Sequence, residues 1–321
     1  MPAAEIRQRR ASEPLEARVA PADRRRALSP RSHRDFTHGQ RFAPTLRGVN
    51  QNRRALMELS LKSHTVAGST PARAAEPRLM LSMARTAADI EDAQRLRFKV
   101  FVEEMGAAAG GCDAGLDSDE FDAWCDHLIV RDADTLRAVG TYRILPPDRE
   151  RALGRLYADG EFDLSRLAHL RPEAIEIGRS CVHREHRNGG VIMLLWAGLA
   201  RYMKTRGYRH LIGCASASLA DGGHQAARLR DELQPYLSAP DLRVSPHVAF
   251  PYARLTRAAT CTIPPLIKGY LRLGARVCGE PAWDPDFNTA DFLMWLSLDQ
   301  LHPRYARHFD LLATQATADA N

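Results

Sequence analysis

Residues 176–196 have the sequence EIGRSCVHREHRNGGVIMLLW, which predicts a strand, a loop and a helix in that order. Alternating apolar residues over 175–182 fit a half-buried strand, and the apolar run 191–200 fits a helix packed on a sheet. Gly189 and Gly190 lie where that helix begins. Because backbone N–H groups at a glycine-rich helix start can bind phosphate, we expect either an anion site here or an ordinary strand-to-helix turn.

The charge of the chain is unevenly distributed. Over all 321 residues the net charge is +6, but residues 1–78 hold 16 basic and 7 acidic side chains, so the remainder is mildly acidic. Residues 1–78 also lack Trp and Tyr, which leaves little apolar surface to stabilise a fold. We therefore predict a disordered basic tail at 1–78 and one folded domain at 79–321. A tail with two Phe but no Trp or Tyr, beside an acidic domain, argues against a nucleic-acid-binding protein.

The cysteines and the apolar runs exclude two further classes. Six cysteines are scattered with no CxxC pair, so neither a disulfide framework nor a zinc site is predicted. The longest apolar run is roughly half of the about 20 residues that cross a bilayer. We expect a cytoplasmic protein with reduced cysteines.

The remaining periodicity predicts an α/β domain. Strands paired by turns come first, and strands separated by helices come later, which is typical of a mixed sheet. The predicted strands are 79–83, 127–130, 136–145, 175–182, 209–215 and 292–298, and the predicted helices are 90–104, 191–200, 223–236 and 264–273.

Charged residues recur at spacings that suit a binding site. Arg97 and Phe101, four apart on a helix, share one face. Three aspartates, Asp117, Asp119 and Asp122, fall within 117–122, where they can hold a substrate ammonium or pair with Arg97 and Arg143; the glycine and closing glutamate of a calcium loop are missing.

Glu176 and Arg179 are three residues apart on the predicted strand. Such residues face opposite sides of a sheet, so a shared ligand requires a β-bulge between them. A functional interpretation therefore predicts a bulge. Cys181 is interpreted as a core residue rather than a nucleophile, because no neighbouring base lowers its pKa.

Together these patterns resemble the acyl-homoserine lactone synthases, which belong to the GCN5-related N-acetyltransferase (GNAT) superfamily. The matching motifs are Arg97-x3-Phe101, Asp117-x-Asp119-x-Phe121-Asp122, Gly140-Thr-Tyr-Arg143 and Glu176-x-x-Arg179. Segments 176–183, 264–275 and 286–291 are similar in more detail to the hemolysin-like branch, which includes the ornithine Nα-acyltransferases. The resemblance runs from about residue 79 to 309 and leaves the tail uncovered.

The resemblance implies a fold and a reaction. The fold is a GNAT-like α/β domain whose mixed, mostly antiparallel central sheet is flanked by helices. The reaction transfers a 3-hydroxyacyl group from acyl carrier protein to the α-amine of L-ornithine, forming lyso-ornithine lipid. The acyl donor is carried on phosphopantetheine, so no separate cofactor and no metal are expected. A lipid product suggests peripheral contact of this cytoplasmic enzyme with the inner membrane.

The resemblance also implies roles for individual residues. Glu176 is the expected general base, and backbone N–H groups of the following strand are expected to stabilise the oxyanion. The expected catalytic residues are Glu176, Arg179 and Ser180; those binding the donor phosphate are Arg187, Asn188, Gly189 and Gly190; those binding substrate are Arg97, Phe101, Asp119, Asp122 and Arg143.

Two departures from the superfamily pattern bear on the substrates. Ile192 stands where the pyrophosphate loop has a small residue, which agrees with a carrier-protein donor rather than coenzyme A. The lactone synthases have a Trp shortly after the Phe, whereas here the next Trp after Phe101 is Trp124. Synthesis of an acyl-homoserine lactone, or N-acylation of another amino acid, remains the alternative.

Overall fold

A computed structural model of the chain describes residues 78–107, 115–301 and 305. The predicted disordered tail lies outside the described residues, apart from Arg78. Within the described residues, no helix is long and apolar enough to span a bilayer.

An eight-stranded mixed sheet forms the centre of the described domain. Its path is β1-β2-β3-β5-β6-β10-β8, with β9 also paired to β10. Every pair is antiparallel except β5 with β6, which is parallel. The strands are β1 (Leu79–Met83), β2 (Asp126–Asp132), β3 (Ala138–Leu145), β4 (Phe162–Asp163), β5 (Ala174–Val182), β6 (His210–Ser218), β7 (Ser245–Pro246), β8 (Arg276–Val277), β9 (Ala282–Asp284) and β10 (Thr289–Ser297), of which β4 and β7 pair apart from the sheet.

Five α-helices accompany the sheet in the described residues. They are α1 (Ala87–Arg97), α2 (Pro147–Leu153), α3 (Gly190–Arg206), α4 (His224–Glu232) and α5 (Pro265–Leu273). A capping box starts α1: Thr86 Oγ1 accepts the Asp89 N–H at 3.2 Å, and Asp89 Oδ2 accepts the Thr86 N–H at 3.1 Å. The chain continues from α1 as a π-helix over Phe98–Glu104.

The predicted mixed, mostly antiparallel sheet flanked by helices is confirmed. Several boundaries differ: α3 extends six residues beyond the predicted end at 200, and β10 begins at Thr289 rather than 292. The strand β10 lies between β6 and β8 in the sheet. The short elements α2, β4, β7, β8 and β9 were not predicted, since two to seven residues carry too little periodicity.

The strands β5 and β6 form a fork. Both have nine residues, yet they pair only over Ala174–Glu176 and His210–Ile212, and beyond that point they separate. At the apex a Cβ on Gly213 would lie 2.4 Å from the Ile177 carbonyl oxygen, so only glycine allows the approach. The parallel pair thus opens a gap in the middle of the sheet.

A β-bulge interrupts β5 beyond the fork. Thr141 pairs with Cys181 and Arg143 with Gly178, so Arg179 and Ser180 together face one residue of β3. Arg179 has φ +47°, a left-handed conformation that is uncommon for an arginine. The bulge predicted from the Glu176-x-x-Arg179 spacing is therefore confirmed.

Helices pack on both faces of the sheet. Val191 and Leu195 of α3 approach Gly140 of β3 on one face, where a Cβ would lie 2.3 Å from Val191 Cγ1. Leu96 of α1 packs with Cys181 on the other face. The fork therefore opens between two helical layers.

Candidate active site

A cavity of about 590 Å³ occupies the fork between β5 and β6. Tyr142 and Arg143, consecutive residues of β3, both line it. Because consecutive side chains of a strand point to opposite faces, the cavity passes through the sheet. We name its two ends by their linings: the polar half contains Arg143 and Glu176, and the apolar half contains Tyr142, Trp196 and Tyr270.

Glu176 is the last residue of β5 that pairs with β6, so it lies beside the apex of the fork, and it is 5% exposed. Its Oε2 accepts the Tyr157 N–H at 2.7 Å, and its Oε1 accepts the Ala158 N–H at 2.8 Å. Burial raises the pKa of Glu176 to about 7, although the two hydrogen bonds act in the opposite direction. A carboxylate with this pKa can take a proton near neutral pH.

A second group of charged residues lies beside the polar half. This arginine–aspartate cluster comprises Arg97, Asp117, Asp119, Asp122, Arg143 and Arg179. Arg97, which is 0% exposed, donates from Nη1 and Nη2 to the two oxygens of Asp122 at 2.9 and 2.7 Å, and from Nε to Asp117 at 3.0 Å. Burial raises the pKa of Asp122, but the Arg97 guanidinium outweighs burial and holds this pKa well below its usual range.

Arg143 and Arg179 connect this cluster to the cavity. Arg143 Nη1 contacts Asp119 and lies 3.0 Å from Asp122 Oδ1, and Arg179 Nη2 donates to Asp119 Oδ2 at 3.2 Å. The Arg179 guanidinium also lies 4.6 Å from the Phe287 ring centroid, and its buried Nε lies 3.4 Å from Asp117 Oδ2 without forming a hydrogen bond. These contacts hold Arg179 in its strained conformation.

The structure brings some of the predicted site residues to the cavity and not others. The residues that line it are Phe101, Arg143, Glu176, Arg179, Ser180, Arg187 and Gly189. The predicted residues that do not line it are Arg97, Asp119, Asp122, Asn188 and Gly190. Of the two roles open to the aspartates, orienting the arginines matches their contacts here, whereas contact with a substrate ammonium remains a prediction.

The start of α3 has the expected glycine turn. Gly189 has φ +98°, and the Gly190 N–H donates to Asn188 Oδ1 at 3.1 Å. Arg187 Nε donates to the Val182 carbonyl oxygen at 3.0 Å, and its two terminal nitrogens bind the Glu104 carboxylate. A guanidinium has five N–H donors, so two remain on Arg187 for a phosphate.

The apolar half is lined by aromatic and aliphatic side chains from α3 and α5. Residues of the predicted helix 264–273 contribute Pro264, Pro265, Leu266 and Tyr270. The Tyr142 and Tyr270 hydroxyls form a short hydrogen bond there, which satisfies two buried polar groups. Cys181 also lines the cavity, but burial raises the pKa of its thiol to about 12, in agreement with a packing role.

The sequence interpretation missed one group of residues. Asp284 and Asp291, from the β9 and β10 strands, line the polar half, and Glu161 lies next to Asp291. Asp291 belongs to the segment 286–291 quoted above, yet nothing in its spacing indicated a role. Glu161 is too distant along the chain to be associated with it by any local pattern. We call Glu161, Asp284 and Asp291 the acidic group.

Comparison with known proteins adds relatives of both sequence and fold. The acetyltransferase (GNAT) domain profile matches residues 96–197. A protein of Rhodobacter capsulatus named L-ornithine N(alpha)-acyltransferase is 36% identical over 250 residues, covering 71% of this chain and 93% of the relative. A protein of the same name from Rhizobium meliloti is 36% identical over 246 residues, covering 71% and 82%. Among solved structures, the CoA-dependent acyl-homoserine lactone synthase BjaI with MTA has 16% identity and a TM-score of 0.44, covering 75% of this chain and 90% of that one.

Proposed function

Because the chain belongs to the GNAT-type family of L-ornithine Nα-acyltransferases, we propose that it transfers an acyl group from a thioester donor to the α-amine of L-ornithine. The observation that carries the proposal is Glu176, a buried carboxyl with a pKa of about 7 at the apex of an open fork. Around it the cavity offers cations on one side and an apolar channel on the other, as an amino acid and an acyl chain require.

Glu176 acts as the general base in this proposal. The α-ammonium group must lose a proton before its nitrogen can attack the thioester carbonyl, and a base with a pKa near neutrality suits that task. The amine nitrogen then forms the new C–N bond and the C–S bond breaks. The sulfur takes the second proton lost by the nitrogen and leaves as the thiol. Beyond Glu176, β5 no longer pairs with β6, so the backbone N–H groups on that edge are free of a strand partner. In this proposal they stabilise the oxyanion and bind the amides of the pantetheine arm.

Arg143 and Arg179 hold the carboxylate of the amino acid. Both line the polar half, and both are oriented by Asp119. A forked guanidinium suits a planar carboxylate. The acyl chain lies in the apolar half, against Trp196 and the start of α5.

We propose a 3-hydroxyacyl-acyl carrier protein as donor, which makes the product lyso-ornithine lipid. Lys99, Arg184 and Arg187 are exposed near the end of β5, where Arg187 lines the cavity. Carrier proteins are acidic, so exposed cations here favour their docking. The lipid product also favours a peripheral encounter of the enzyme with a membrane surface.

The proposed acylation is tested with purified full-length protein, 3-hydroxyacyl-acyl carrier protein and a panel of amino acids, following N-acyl products by mass spectrometry. Product with ornithine supports the proposal. Product only with another amino acid changes the acceptor, and a diffusible lactone formed from S-adenosylmethionine supports the alternative. Absence of any product, with this donor and with the same acyl group on coenzyme A, overturns the proposal.

The role of Glu176 is tested with Glu176→Gln, for which kcat is expected to fall about a hundredfold or more. In the parent enzyme kcat/KM is expected to rise with pH up to about 7, as Glu176 loses its proton. Glu150→Gln provides a control at another buried carboxyl, which does not line the cavity. Near-normal turnover of Glu176→Gln removes this residue from the mechanism.

The donor is tested with Arg184→Glu, which places a negative charge beside the docking cations. KM for the carrier-protein donor is expected to rise several-fold, more at low salt, while kinetics with the same acyl group on coenzyme A stay unchanged. Arg201→Glu, an exposed change on α3 away from the cavity, is the matched control. Equal use of both donors, with no effect of Arg184→Glu, contradicts the carrier-protein proposal.

A further inference from the structure

The acidic group occupies a position that the proposed chemistry does not yet use. Asp291 is 4% exposed and pairs in register with Ser216 of β6, so both side chains lie on one face and both line the polar half. Asp284 lines the cavity from the neighbouring strand β9. The Glu161 carboxylate lies within 4.8 Å of Asp291 and of Cys214 Sγ. Asp284 and Asp291 thus line one end of the cavity, and Glu161 lies beside Asp291 without lining it.

No cation compensates this group. Within residues 78–107 and 115–301, no Arg, Lys or His forms an ion pair with Glu161, Asp284 or Asp291. Asp284 Oδ1 accepts the N–H groups of Asp286 and Phe287 at 2.9 and 3.0 Å, and Asp291 Oδ1 accepts the Thr289 hydroxyl at 2.8 Å. Both oxygens of Glu161 are buried and no N–H group or cation of the described chain donates to them; the side chains beside them are those of Asp291 and Cys214. An ionised carboxylate without a donor is costly to bury, so Glu161 keeps its proton unless a cation enters.

The protonation of the group agrees with a missing cation. Burial, with the nearby Asp291 and Asp284 carboxylates, raises the pKa of Glu161 to about 9, and burial also raises the pKa of Asp291. A positive charge entering between them would stabilise their ionised forms.

We propose that the acidic group is the subsite for the side-chain ammonium of the amino-acid acceptor, and this inference rests on the proposed function. Phe287 connects the parts: it lies between Asp284 and Asp291 in sequence, and its ring stacks against Arg179. The cavity then holds the acceptor by both ends, its carboxylate at Arg179 and its side-chain cation at the acidic group. The α-amine between them is left for Glu176.

A divalent metal is the competing occupant. Glu161, Cys214 and Asp291 have ligand atoms close enough together to share one ion. A thiol binds metal as the thiolate, however, and burial beside Glu161 raises the pKa of Cys214 well above its usual value. An ammonium needs only oxygen acceptors, which the group supplies without deprotonating the thiol.

The experiment compares acceptors that differ only in the cation. Ornithine and norvaline share a carbon chain, but norvaline lacks the side-chain ammonium. The ratio of kcat/KM for ornithine to that for norvaline is measured in the parent enzyme and in Asp291→Asn and Glu161→Gln. In each variant this ratio is expected to fall about tenfold or more, because KM for ornithine rises. The kcat/KM for norvaline is expected to change little. Asp286→Asn, an exposed change in the same β9–β10 turn, keeps the ratio.

The outcomes separate this inference from the proposed function. An unchanged ratio in both variants, with ornithine still acylated, overturns the subsite and leaves the function standing. Failure of the parent to acylate either amino acid overturns the function itself. Stoichiometric zinc in the purified parent, lost in Asp291→Asn, overturns the ammonium in favour of a metal. Acylation of norvaline by each variant shows that it is folded.

Discussion

The polar half of the cavity is bordered by two charged groups that differ in one respect. In the arginine–aspartate cluster every carboxylate contacts at least one guanidinium, and Arg97 is fully enclosed by Asp117 and Asp122. In the acidic group the carboxyl groups meet one another and no cation of the described chain. A buried network in which every charge is paired rigidifies the fold, whereas removing one partner from it is costly. A group of carboxyls without a cation can instead bind a positively charged ligand.

The largest expected effect is on the complete network. Replacing Asp122 by Asn leaves the buried Arg97 without most of its countercharge, and Gln94 Nε2, which donates to Asp122 at 2.9 Å, would face an amide. The free energy of unfolding is expected to fall by about 3–5 kcal/mol, as measured by urea denaturation. The exposed Asp286→Asn serves again as control, with an expected change within about 0.5 kcal/mol. If Asp122→Asn lowers the free energy of unfolding only slightly, the arginine–aspartate cluster does not stabilise the fold and does not differ from the acidic group in this respect.

A smaller effect is expected from pH. An unfolded Glu is ionised above its ordinary pKa of 4.5, whereas folded Glu161, facing Asp284, Asp291 and Cys214, keeps its proton up to about pH 9. The folded state therefore binds more protons in this range, and the free energy of unfolding falls as pH rises from 5 to 8.5, by roughly 1–3 kcal/mol. Glu176 acts in the same direction up to about pH 7.

Denaturation at several pH values measures this slope, and Glu161→Gln is expected to flatten it. A slope that is unchanged in Glu161→Gln would assign the pH dependence to Glu176 instead.

The smallest effect has the opposite sign. At pH 8 Glu161→Gln is expected to raise the free energy of unfolding by about 1 kcal/mol, because it removes a buried group that is costly to ionise. The same substitution is expected to lower selectivity for ornithine. Destabilisation by Glu161→Gln at pH 8 would show that the acidic group already has its partners.

The sequence predicted the frame of the molecule better than its contacts. The bulge at Arg179 followed from one spacing, since only an extra residue puts Glu176 and Arg179 on the same side. The convergence of Arg97 with Asp122 was among the possibilities because both lay in quoted motifs. Which of them reach the cavity depended on how deeply α1 packs, and no local pattern encodes that depth.

The acidic group could not be predicted for a different reason. Glu161, Asp284 and Asp291 come from a loop and two strands, and they meet only because β10 pairs with β6 in one register. Each residue alone resembles an ordinary surface acid in sequence. The acidic group stands out only because no cation of the described chain lies beside it, and the order of residues in a sequence does not show which charges are neighbours in space.

The fork has a consequence for how such enzymes diversify. Its apex is defined by the backbone, where Gly213 meets the Ile177 carbonyl and parallel pairing stops at Glu176, while the two halves of the cavity are defined by side chains. In the proposed function, side-chain changes in either half would therefore leave the apex beside Glu176 in place. The amino acid that the polar half is proposed to hold and the acyl chain that the apolar half is proposed to hold could then change as independent traits.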